Sequence, residues 1–572
     1  MPAPLRIGES SFYQMRRFGS LYVDKTAFVR EVLTAPHAVM LYPRPRRFGK
    51  TLNMTMLQAF FEAGPDIRPL FEGLEILDDA ASMEHFQQHP VVAMTFKDMV
   101  RDTWPGTMEA IRPWLEREIG RHAAAIEDPR VDHRVRDRLI AVRCGGGVPT
   151  GTLIDLCEAL CVHSGKQVVL LIDEYDAVVL HAWTHGYYDE AVGFFRALLA
   201  PALKGNPFLF KAVLTGILRI AKESMFSGLN NVQVYSLLNQ ARDEFFGFTD
   251  SEVLALLTDH GRMADLVEVR RWYNGYQFGH STVYNPWSIC MMLTEPGLPL
   301  RPHWLNTSGN DLARSLLLHN PLLGKDVEAL LTDRCITAPI EENVPLRDLT
   351  GAHVWSLLLF SGYLKAVAVR TEGTRTVCDL AIPNREVRGV WEETFLVWIE
   401  GGGTTVAPLH NALLAGDAAR VEQILRTLLV RNVSVHDVPA PGSPTTTAGD
   451  TQDERFYHAF ILGLLVSMEG THTVRSNRES GDGRPDVTIL PRRPGLPGVV
   501  IEFKRPKGKA PLATSARAAL KQIETRRYTT EIEAAGASVV QRFGIAFSGK
   551  EVAVRAPRTQ AGIRHPERGL GG

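Results

Sequence analysis

A short basic loop near the N-terminus has the residue types that bind phosphate. Residues 44–51 read RPRRFGKT and match the pattern GxxxxGK[ST] except at its first position, where Arg44 stands instead of glycine. Gly49 lets the backbone approach a phosphate, Lys50 reaches the outer phosphates, and Thr51 offers a hydroxyl to Mg²⁺ at a helix N-terminus. The loop predicts a nucleoside triphosphate site, although an ordinary basic turn before a helix would look similar.

Two consecutive acids after an apolar run provide the second part of this site. Residues 168–172 are apolar, and Asp173 and Glu174 follow them. A buried strand that ends in two acids can place one carboxylate on Mg²⁺ and the other on the attacking water. We assign Asp173 to the metal and Glu174 to the water; a strand followed by a solvated acidic turn is the alternative. The predicted nucleotide-binding residues are Arg47, Phe48, Gly49, Lys50, Thr51 and Asp173. The predicted Mg²⁺ ligands among them are Thr51 and Asp173.

A third strand ends in residues that could sense the γ-phosphate. Residues 211–215 read KAVLT, so that the strand closes on Thr215. Thr215 would contact the phosphate, and Arg219, just beyond it, would compensate phosphate charge. Either residue could equally be structural, and the sequence leaves that choice open.

The C-terminal part of the chain contains a second group of charged residues. Asp486 begins one predicted strand, and Glu502 and Lys504 lie at the end of the next. Residues two apart share one face of a strand, so Glu502 and Lys504 point the same way. Two carboxylates can hold Mg²⁺, which polarises a phosphate and activates water, and Lys504 would stabilise charge in the transition state. Alternating charges on an exposed strand would give the same pattern.

The turn between these two strands decides whether the acids meet. A hairpin folded about the middle of residues 491–498 places Asp486 opposite Phe503, which leaves the carboxylate on the wrong face. A slip or bulge of one residue places Asp486 opposite Glu502 or Lys504 instead. In that second register two carboxylates and an ammonium group converge at one end of the sheet.

Charge is unevenly distributed along the chain. The net charge is −1, but residues 454–572 contain 20 Lys and Arg against 11 Asp and Glu, a charge of +9 that leaves −10 on the rest. A basic segment on an acidic body indicates a polyanionic partner, although a basic tail that keeps the protein in solution fits as well. Helices on either side of the acids offer Glu454, Gln522 and Tyr528 as supporting residues.

Histidine and cysteine provide no comparable signal. His85 and His89 have the i, i+4 spacing of a helical metal pair, but no glutamate follows His85 as in HExxH and no third ligand is evident. The six cysteines include no CxxC pair, and the spacing of Cys157 and Cys161 fits helix packing. We therefore expect neither zinc at the histidine pair nor a disulfide framework.

The order of predicted elements defines four regions. Alternating strands and helices indicate an α/β domain with a largely parallel sheet over residues 1–248, and periodic apolar stretches indicate a mainly helical region over 249–435. Residues 436–453, rich in Pro, Ser, Thr and Gly, are predicted to be a linker, and 454–572 a second α/β domain. The predicted strands are 38–42, 91–96, 167–172, 208–215, 486–490 and 499–503. The predicted helices around the two sites are 51–62, 191–203, 454–466 and 514–528.

Composition places the chain among globular proteins. Of its 572 residues, 45% are hydrophobic and 22% charged, which excludes a disordered, collagenous or coiled-coil chain. No apolar run approaches the roughly 18 residues that a membrane helix needs, and the N-terminus has no apolar signal core. We expect a cytoplasmic protein with reduced cysteines.

Long sequence strings along most of the chain resemble those of a known family. They are similar to strings in bacterial AAA-ATPase-like proteins fused to a C-terminal PD-(D/E)XK nuclease-superfamily domain. The matching strings lie at residues 22–26, 44–51, 171–176, 216–224, 228–231, 272–276, 284–288, 306–311 and 476–486. The arginine that opens RPRRFGK is the form that this family is expected to show.

The resemblance implies an architecture and a set of site residues. The implied fold is a P-loop ATPase core, a helical middle region and a restriction-endonuclease-like α/β end, with ATP and Mg²⁺ as cofactors. Carried over, the nuclease positions are Asp486, Glu502 and Lys504. Of these, Asp486 and Glu502 would be the Mg²⁺ ligands, with Glu454 and Gln522 as supports from helices.

The expected activity combines these parts. An ATP-binding module would control a Mg²⁺-dependent nuclease domain that acts on DNA, held by charge along its phosphodiester backbone. The rival interpretation is a nucleotide-dependent switch or scaffold whose nuclease-like domain only binds nucleic acid or protein. Self-association into a homo-oligomer is left open, no membrane partner is expected, and no feature of the sequence separates DNA from RNA.

Overall fold

A computed structural model describes most of the chain. The described residues are 3–147, 149–220, 231–239, 244–295, 297–304, 324–331, 334–346, 351–400, 407–432, 461, 464–465, 468, 471–476, 483, 485–504, 506, 510–548 and 551–557. Glu454, the predicted linker at 436–453 and most of the predicted helix at 454–466 lie outside them.

The N-terminal part is built on a five-stranded parallel sheet. The first six strands of the chain are β1 (Val39–Pro43), β2 (Val91–Thr95), β3 (Val168–Asp173), β4 (Leu209–Gly216), β5 (Arg219–Ile220) and β6 (Val232–Val234). The sheet has the order β2-β3-β4-β1-β6, and each neighbouring pair is parallel. β3 is buried at every position, as expected for a strand of a parallel sheet that is covered on both faces.

Helices alternate with these strands, as the sequence predicts. They are α1 (Phe12–Arg17), α2 (Ala27–Thr34), α3 (Lys50–Phe61), α4 (Ala80–Met83), α5 (Trp104–Arg121), α6 (Ala123–Ile126), α7 (His133–Arg143), α8 (Thr152–Ser164), α9 (Ala177–His185) and α10 (Tyr188–Leu203). The predicted strands and helices of this region are present, with ends displaced by at most three residues.

The middle region contains helices and additional strands. The helices are α11 (Asp250–Asp259), α12 (Leu266–Tyr273), α13 (Pro286–Leu293), α14 (Gly324–Leu331), α15 (Gly351–Phe360), α16 (Arg385–Glu400), α17 (Ala407–Ala415) and α18 (Ala418–Asn432). The strands are β7 (Tyr276–Phe278), β8 (Ser281–Val283), β9 (Ile336–Ile340), β10 (Asn343–Val344), β11 (Lys365–Glu372) and β12 (Arg375–Ala381). β7 and β8 form a hairpin, β10 pairs with β5, and β11-β12-β9 is an antiparallel sheet.

The helical character predicted for the middle region is confirmed, but its strands were missed. Most of β11 is exposed, with Ala366 as its one buried residue, so the apolar alternation that reveals a half-buried strand is weak there. The first helix of the region has a clear local signal. Thr249 and Glu252 form a capping box, in which each side chain accepts a hydrogen bond from the other residue's backbone.

The C-terminal part contains a five-stranded mixed sheet. Its elements are β13 (His472–Ser476), β14 (Val487–Pro491), β15 (Gly498–Lys504), α19 (Leu512–Thr525), α20 (Thr530–Ala534), β16 (Val540–Ser548) and β17 (Glu551–Arg555). The strands lie in chain order, and β15 and β16 form the parallel pair, connected through α19 and α20. α19 packs closely on this pair: a Cβ at Gly544 would lie 2.1 Å from the carbonyl oxygen of Ala516.

The chain forms two compact units. One comprises Met1–Leu316 and Asp333–Gly389, and the other Leu317–Thr332 and Val390–Gly572. Helices α17 and α18, which the sequence assigns to the middle region, group with the C-terminal unit because they pack against β15, β16 and β17. The borders predicted at 248 and 436 differ from this division and stay predictions. Among the described helices, none combines the length and apolar character needed to cross a membrane.

Candidate functional site

The loop after β1 enters α3 at Gly49. This residue caps the helix with a φ of 80°, a left-handed conformation that glycine adopts without strain. Lys50 and Thr51 are the first residues of α3. The backbone N–H groups at a helix start have no intrahelical partner, and the helix dipole favours negative charge there. The loop therefore has the strand–turn–helix context that phosphate binding requires.

The Lys50 ammonium group is buried inside this loop. Its Nζ donates to the carbonyl oxygens of Arg44 and Pro45, each at 3.1 Å, and lies 3.4 Å from Oε1 of Glu174. The Lys50 side chain is 3% exposed. The predicted phosphate ligand and the predicted catalytic acid are thus in direct contact.

Asp173 is held by two hydroxyl groups. Thr51 Oγ1 donates to Asp173 Oδ2 at 2.7 Å, and Thr215 Oγ1 donates to Oδ1. Thr215 can do so because β4 lies between β3 and β1 in the sheet. Burial raises the pKa of Asp173 and the Glu174 charge adds to the rise, whereas the two hydroxyl hydrogen bonds oppose it. Three residues far apart in sequence meet at one edge of the sheet.

Two residues beside the loop have unusual backbone conformations. Arg47 and Glu174 have φ values of 69° and 53°, in the left-handed region that residues other than glycine rarely adopt. The Arg47 guanidinium carbon lies 4.1 Å from the centre of the Trp287 ring, a cation–π contact. Such backbone outliers cluster at functional sites, where the surrounding structure holds them.

Arg44 and Phe48 are buried and anchor the loop. The Arg44 guanidinium donates to the carbonyl oxygens of Pro43 at 2.9 Å and Tyr235 at 2.6 Å. The Phe48 ring packs edge-on against Tyr276. Arg44 therefore supports the loop from within at the position where the general pattern has glycine. Because the Phe48 side chain is covered, its backbone is the part that can approach a phosphate.

Asp176 joins the acidic turn to the segment after β4. Its Oδ2 accepts hydrogen bonds from the backbone N–H groups of Ile217 and Leu218, both at 2.8 Å. Among the described residues, no group hydrogen-bonds to its Oδ1, which would lie 2.5 Å from a Cβ at Gly216. Burial raises the pKa of Asp176 to about 6. The sequence-based assignments include no role for this residue, and its place as the third acid of the run from Asp173 is the signal that indicates one.

Arg219 lies apart from these contacts. It is half-buried on β5, where it pairs with Asn343 of β10. Within the described part of the chain, its side chain makes no hydrogen bond or ion pair with the loop or with Asp173 and Glu174. Of the two sensor candidates, Thr215 is the one that the structure brings to the site.

The hairpin of β14 and β15 has the register that brings the C-terminal acids together. Val487 pairs with Ile501, so the preceding Asp486 comes opposite Glu502. The alignment of Asp486 with Phe503 is therefore wrong, and the alternative shifted by one residue is observed.

The observed register follows from where the ladder of β14 and β15 ends. The last two residues of β14, Leu490 and Pro491, pair with Thr473 and His472 of β13 and extend past the end of the ladder with β15. The ladder with β15 closes on the pair of Ile489 and Val499, so the turn comprises residues 490–498 and is centred on residue 494, half a residue before the assumed centre.

Asp486, Glu502 and Lys504 lie together at one end of the hairpin. Asp486 Oδ2 accepts a hydrogen bond from the backbone N–H of Phe503 at 2.7 Å. Glu502 Oε1 accepts from Gln522 Nε2 on α19 and lies 3.7 Å from Lys504 Nζ. Two predicted metal ligands, one cation and the predicted support Gln522 are thus brought to a single place.

Burial governs the electrostatics of this second site. It raises the pKa of Asp486, while the hydrogen bond from Phe503 and the charge of Lys504 oppose that rise. A divalent cation would offset the cost of a buried carboxylate charge. Gln522 Nε2 also lies 3.3 Å from the hydroxyl of Tyr528, which helps to orient the amide. Glu454, the third predicted support, is outside the described residues.

Comparisons with protein families agree with this division into two sites. Residues 6–226 match the family model described as "Predicted AAA-ATPase", and residues 452–556 match that of the PD-(D/E)XK nuclease superfamily. The chain joins an AAA-ATPase-like domain to a PD-(D/E)XK nuclease-superfamily domain. The resemblance and the fold class inferred from the sequence are confirmed. The AAA-ATPase-like domain holds the loop and the acidic turn, and the nuclease-superfamily domain holds Asp486, Glu502 and Lys504.

Two individual proteins are also similar. An "Uncharacterized protein in vnfD 5′ region" of Azotobacter chroococcum mcd 1 is 26% identical over 551 residues, which cover 95% of this chain and 96% of that protein. The Walker-type ATPase PABY2304 of Pyrococcus abyssi matches with 12% identity and a TM-score of 0.32, over 68% of this chain and 98% of its own. A TM-score this low supports no argument about function.

Proposed function

We propose that the AAA-ATPase-like domain binds ATP with Mg²⁺ and hydrolyses it. The observation that carries this proposal is the contact of Thr51 and Thr215 with Asp173, beside the Lys50–Glu174 ion pair. A hydroxyl and a carboxylate in contact are oxygen ligands of the kind that hold Mg²⁺ at a triphosphate. The donor groups present therefore fit the nucleotide and its metal.

Each residue of this site would have a distinct role. Lys50 would exchange the carbonyl oxygens of Arg44 and Pro45 for oxygens of the β- and γ-phosphates. Glu174 would orient the attacking water and accept its proton, and Thr215 would fix Asp173 in its metal-binding orientation. Bound Mg²⁺ would neutralise the charge that develops on the phosphates.

For the nuclease-superfamily domain we propose Mg²⁺-dependent cleavage of DNA. Asp486 and Glu502 would hold the ion, which supplies a polarised phosphate and an activated water. Lys504, whose side chain is 37% exposed, would meet the phosphate and stabilise its negative charge. The charge of +9 on residues 454–572 would hold the nucleic-acid backbone without reading its sequence.

We also propose that ATP controls the cleavage, in a cytoplasmic protein. The fusion of an ATPase-like domain to a nuclease-like domain in one chain motivates this coupling. A nucleotide-bound state would have to differ from the free state in its affinity for the nucleic acid or in its cleavage rate.

Cleavage of plasmid DNA by the full-length protein tests the nuclease proposal. We expect Mg²⁺-dependent cleavage that changes with ATP and falls at least about 10³-fold in Asp486→Asn, because a metal ligand is lost. DNA binding should survive in that variant, since most of the basic residues remain. Glu533→Gln, which neutralises an exposed acid on α20, is the matched control and should cleave normally.

Each alternative has its own outcome in this experiment. Equal cleavage by the parent and Asp486→Asn would exclude the proposed metal site. Tight binding without cleavage by either protein would favour the scaffold interpretation. Equal rates with and without ATP would exclude control by ATP. Cleavage of an RNA of matched length but not of the plasmid would show that the substrate is RNA rather than DNA.

A further inference from the structure

A group of metal-binding side chains lies outside both sites described above. Asp102 precedes α5, and His181 and His185 lie in the last turns of α9. Their potential ligand atoms, one from each residue, all lie within 4.8 Å of one another. We call these three residues the His-Asp cluster. None of them was singled out from the sequence, since Asp102 lies far from the histidine pair along the chain.

The distances within the His-Asp cluster suit a metal better than direct hydrogen bonds. Asp102 Oδ1 lies 3.6 Å from His181 Nε2 and 3.5 Å from His185 Nε2, which is long for a hydrogen bond. Zinc binds histidine nitrogen and carboxylate oxygen at about 2.0–2.2 Å, so a tetrahedral site separates neighbouring ligand atoms by about 3.4 Å. Both separations from Asp102 come close to that value.

The hydrogen-bond contacts of the two rings leave ring nitrogen atoms available to a metal. His185 Nδ1 lies 2.9 Å from the carbonyl oxygen of His181 and 2.8 Å from Thr184 Oγ1; a hydrogen bond to that carbonyl puts the proton on Nδ1 and leaves the lone pair on Nε2. A neutral imidazole is the form that ligates metals. Among the described residues, His181 Nε2 has no hydrogen-bond partner although it is buried.

The position of the cluster at a helix end adds a favourable field. α9 ends at His185 and is capped by Gly186 in a left-handed conformation. The carbonyl groups of the last turn carry the negative end of the helix dipole, which favours a cation. The His181 and His185 rings are stacked, with centres 3.8 Å apart, so that both face the same side of the helix.

We propose that Asp102, His181 and His185 form a binding site for a divalent transition-metal ion, with Zn²⁺ as the best fit. Two imidazoles and one carboxylate match the ligand preference of Zn²⁺ and disfavour Mg²⁺, which prefers oxygen ligands. Three protein ligands leave a fourth position open to water. The ion would tie the segment before α5 to the end of α9, whose first turn adjoins Asp176. This proposal does not depend on ATP hydrolysis or on nuclease activity.

The test is metal binding by the full-length protein after removal of metals by a chelator. Excess Mg²⁺ keeps the oxygen-ligand sites filled, and Zn²⁺ is then titrated in competition with a coloured chelator. We expect one tight Zn²⁺ equivalent in the parent that weakens on the order of 100-fold in His185→Gln and in Asp102→Asn. Co²⁺ should show the intense visible absorption of a tetrahedral site in the parent and lose it in both variants.

A matched histidine provides the control. His163 is exposed and pairs with Asp128 at 2.8 Å, without a third metal ligand among the described residues. His163→Gln should therefore still bind one equivalent of Zn²⁺ tightly. The proposal would be overturned if the parent bound no Zn²⁺ tightly, or if both His185→Gln and Asp102→Asn bound one equivalent of Zn²⁺ as tightly as the parent. The Asp102 side chain is 84% exposed, so Asp102→Asn should fold normally. This variant therefore tests the proposal even if a histidine variant fails to fold.

Discussion

The two candidate sites bring carboxylates together at strand ends in different ways. In the AAA-ATPase-like domain, Asp173 ends β3 and its partners follow β1 and end β4, which are parallel to it. The carboxyl ends of parallel strands meet at one edge of the sheet, so the order of the strands already brings these residues to the same edge. In the nuclease-superfamily domain, Asp486 and Glu502 lie on antiparallel strands, where a shift of one residue moves a side chain to the other face.

The lysines of the two sites also differ, in their exposure and in the number of groups that hold them. Lys50 is 3% exposed and held by two carbonyl oxygens and Glu174, whereas Lys504 is 37% exposed and has Glu502 at 3.7 Å. The first arrangement encloses its cation, as suits a small ligand that enters a loop. The second leaves its cation at the surface, where a polymer can reach it.

Replacing each lysine by methionine tests this contrast most strongly. The substitution keeps most of the side-chain length and removes the charge. Lys504→Met should lower DNA cleavage on the order of 10³-fold and leave ATP binding unchanged. Lys50→Met should lower affinity for a fluorescent ATP analogue more than about 100-fold, because a buried cation no longer meets the phosphates.

The two measurements are made on both proteins, so each variant controls the other. ATP-analogue binding by Lys50→Met at parental affinity would show that the loop is not the nucleotide site. Normal cleavage by Lys504→Met would show that this lysine does not contact the reacting phosphate.

Glu174→Gln separates binding from hydrolysis within the first site. The amide keeps the shape of the side chain but cannot accept a proton from water, so ATP hydrolysis should fall at least about 100-fold. ATP binding should persist because Lys50, Thr51 and Asp173 remain. Phosphate release and analogue binding are measured in parallel, with Glu190→Gln on α10 as a control for the loss of one exposed charge. Parental hydrolysis by Glu174→Gln would assign the water to another residue.

The raised pKa of Asp176 predicts a pH dependence of the stability of the AAA-ATPase-like domain. Burial raises its pKa to about 6 in the folded protein, against about 3.9 in an unfolded chain. The folded state therefore binds the proton more tightly, so this contribution is fully present below about pH 4 and is lost as the pH rises through 6. The loss amounts to roughly 3 kcal/mol, on the order of 100-fold in the folding equilibrium.

Urea unfolding of Asp176→Asn and of the parent between pH 4 and 8 measures this contribution. Asparagine can still accept hydrogen bonds from Ile217 and Leu218 through its carbonyl oxygen but cannot ionise. The stability of the parent relative to the variant should therefore decline from pH 4 to 6 and level off above about 7. A constant difference across this range would mean that Asp176 does not titrate with a raised pKa.

The same contrast between the two sites shows which features of the structure can be predicted from the sequence. The apolar run of β3 predicts a buried strand, and the order of the strands and helices predicts the parallel sheet and thus the meeting of Thr51, Asp173 and Thr215. The register of Asp486 depends on where the ladder of β14 and β15 ends, and the turn residues alone leave a shift of one residue open. The anchoring of Arg44 likewise depends on Tyr235, a distant residue whose backbone carbonyl is supplied by the fold. Contacts of that kind can be identified only from the tertiary structure.

The smallest expected effect concerns Gln522, the helix-borne support of the second site. Its amide donates to Glu502 Oε1 from α19, as the Thr51 hydroxyl donates to Asp173 Oδ2 from the start of α3. Gln522→Leu keeps a similar volume and removes that donor, so Glu502 should become less well oriented toward Mg²⁺. Loss of a residue that orients a ligand typically weakens metal affinity 10–100-fold, and we expect about tenfold because Lys504 remains beside Glu502.

The measurement that distinguishes this positioning role is the Mg²⁺ dependence of cleavage. In Gln522→Leu the Mg²⁺ concentration for half-maximal cleavage should rise about tenfold, while the rate at saturating Mg²⁺ stays near that of the parent, since Asp486, Glu502 and Lys504 are all retained. Gln423→Leu, at an exposed position on α18, should leave both quantities unchanged. A lower saturating rate with an unchanged Mg²⁺ midpoint would instead place Gln522 at the reacting phosphate, and no change in either would remove it from the site.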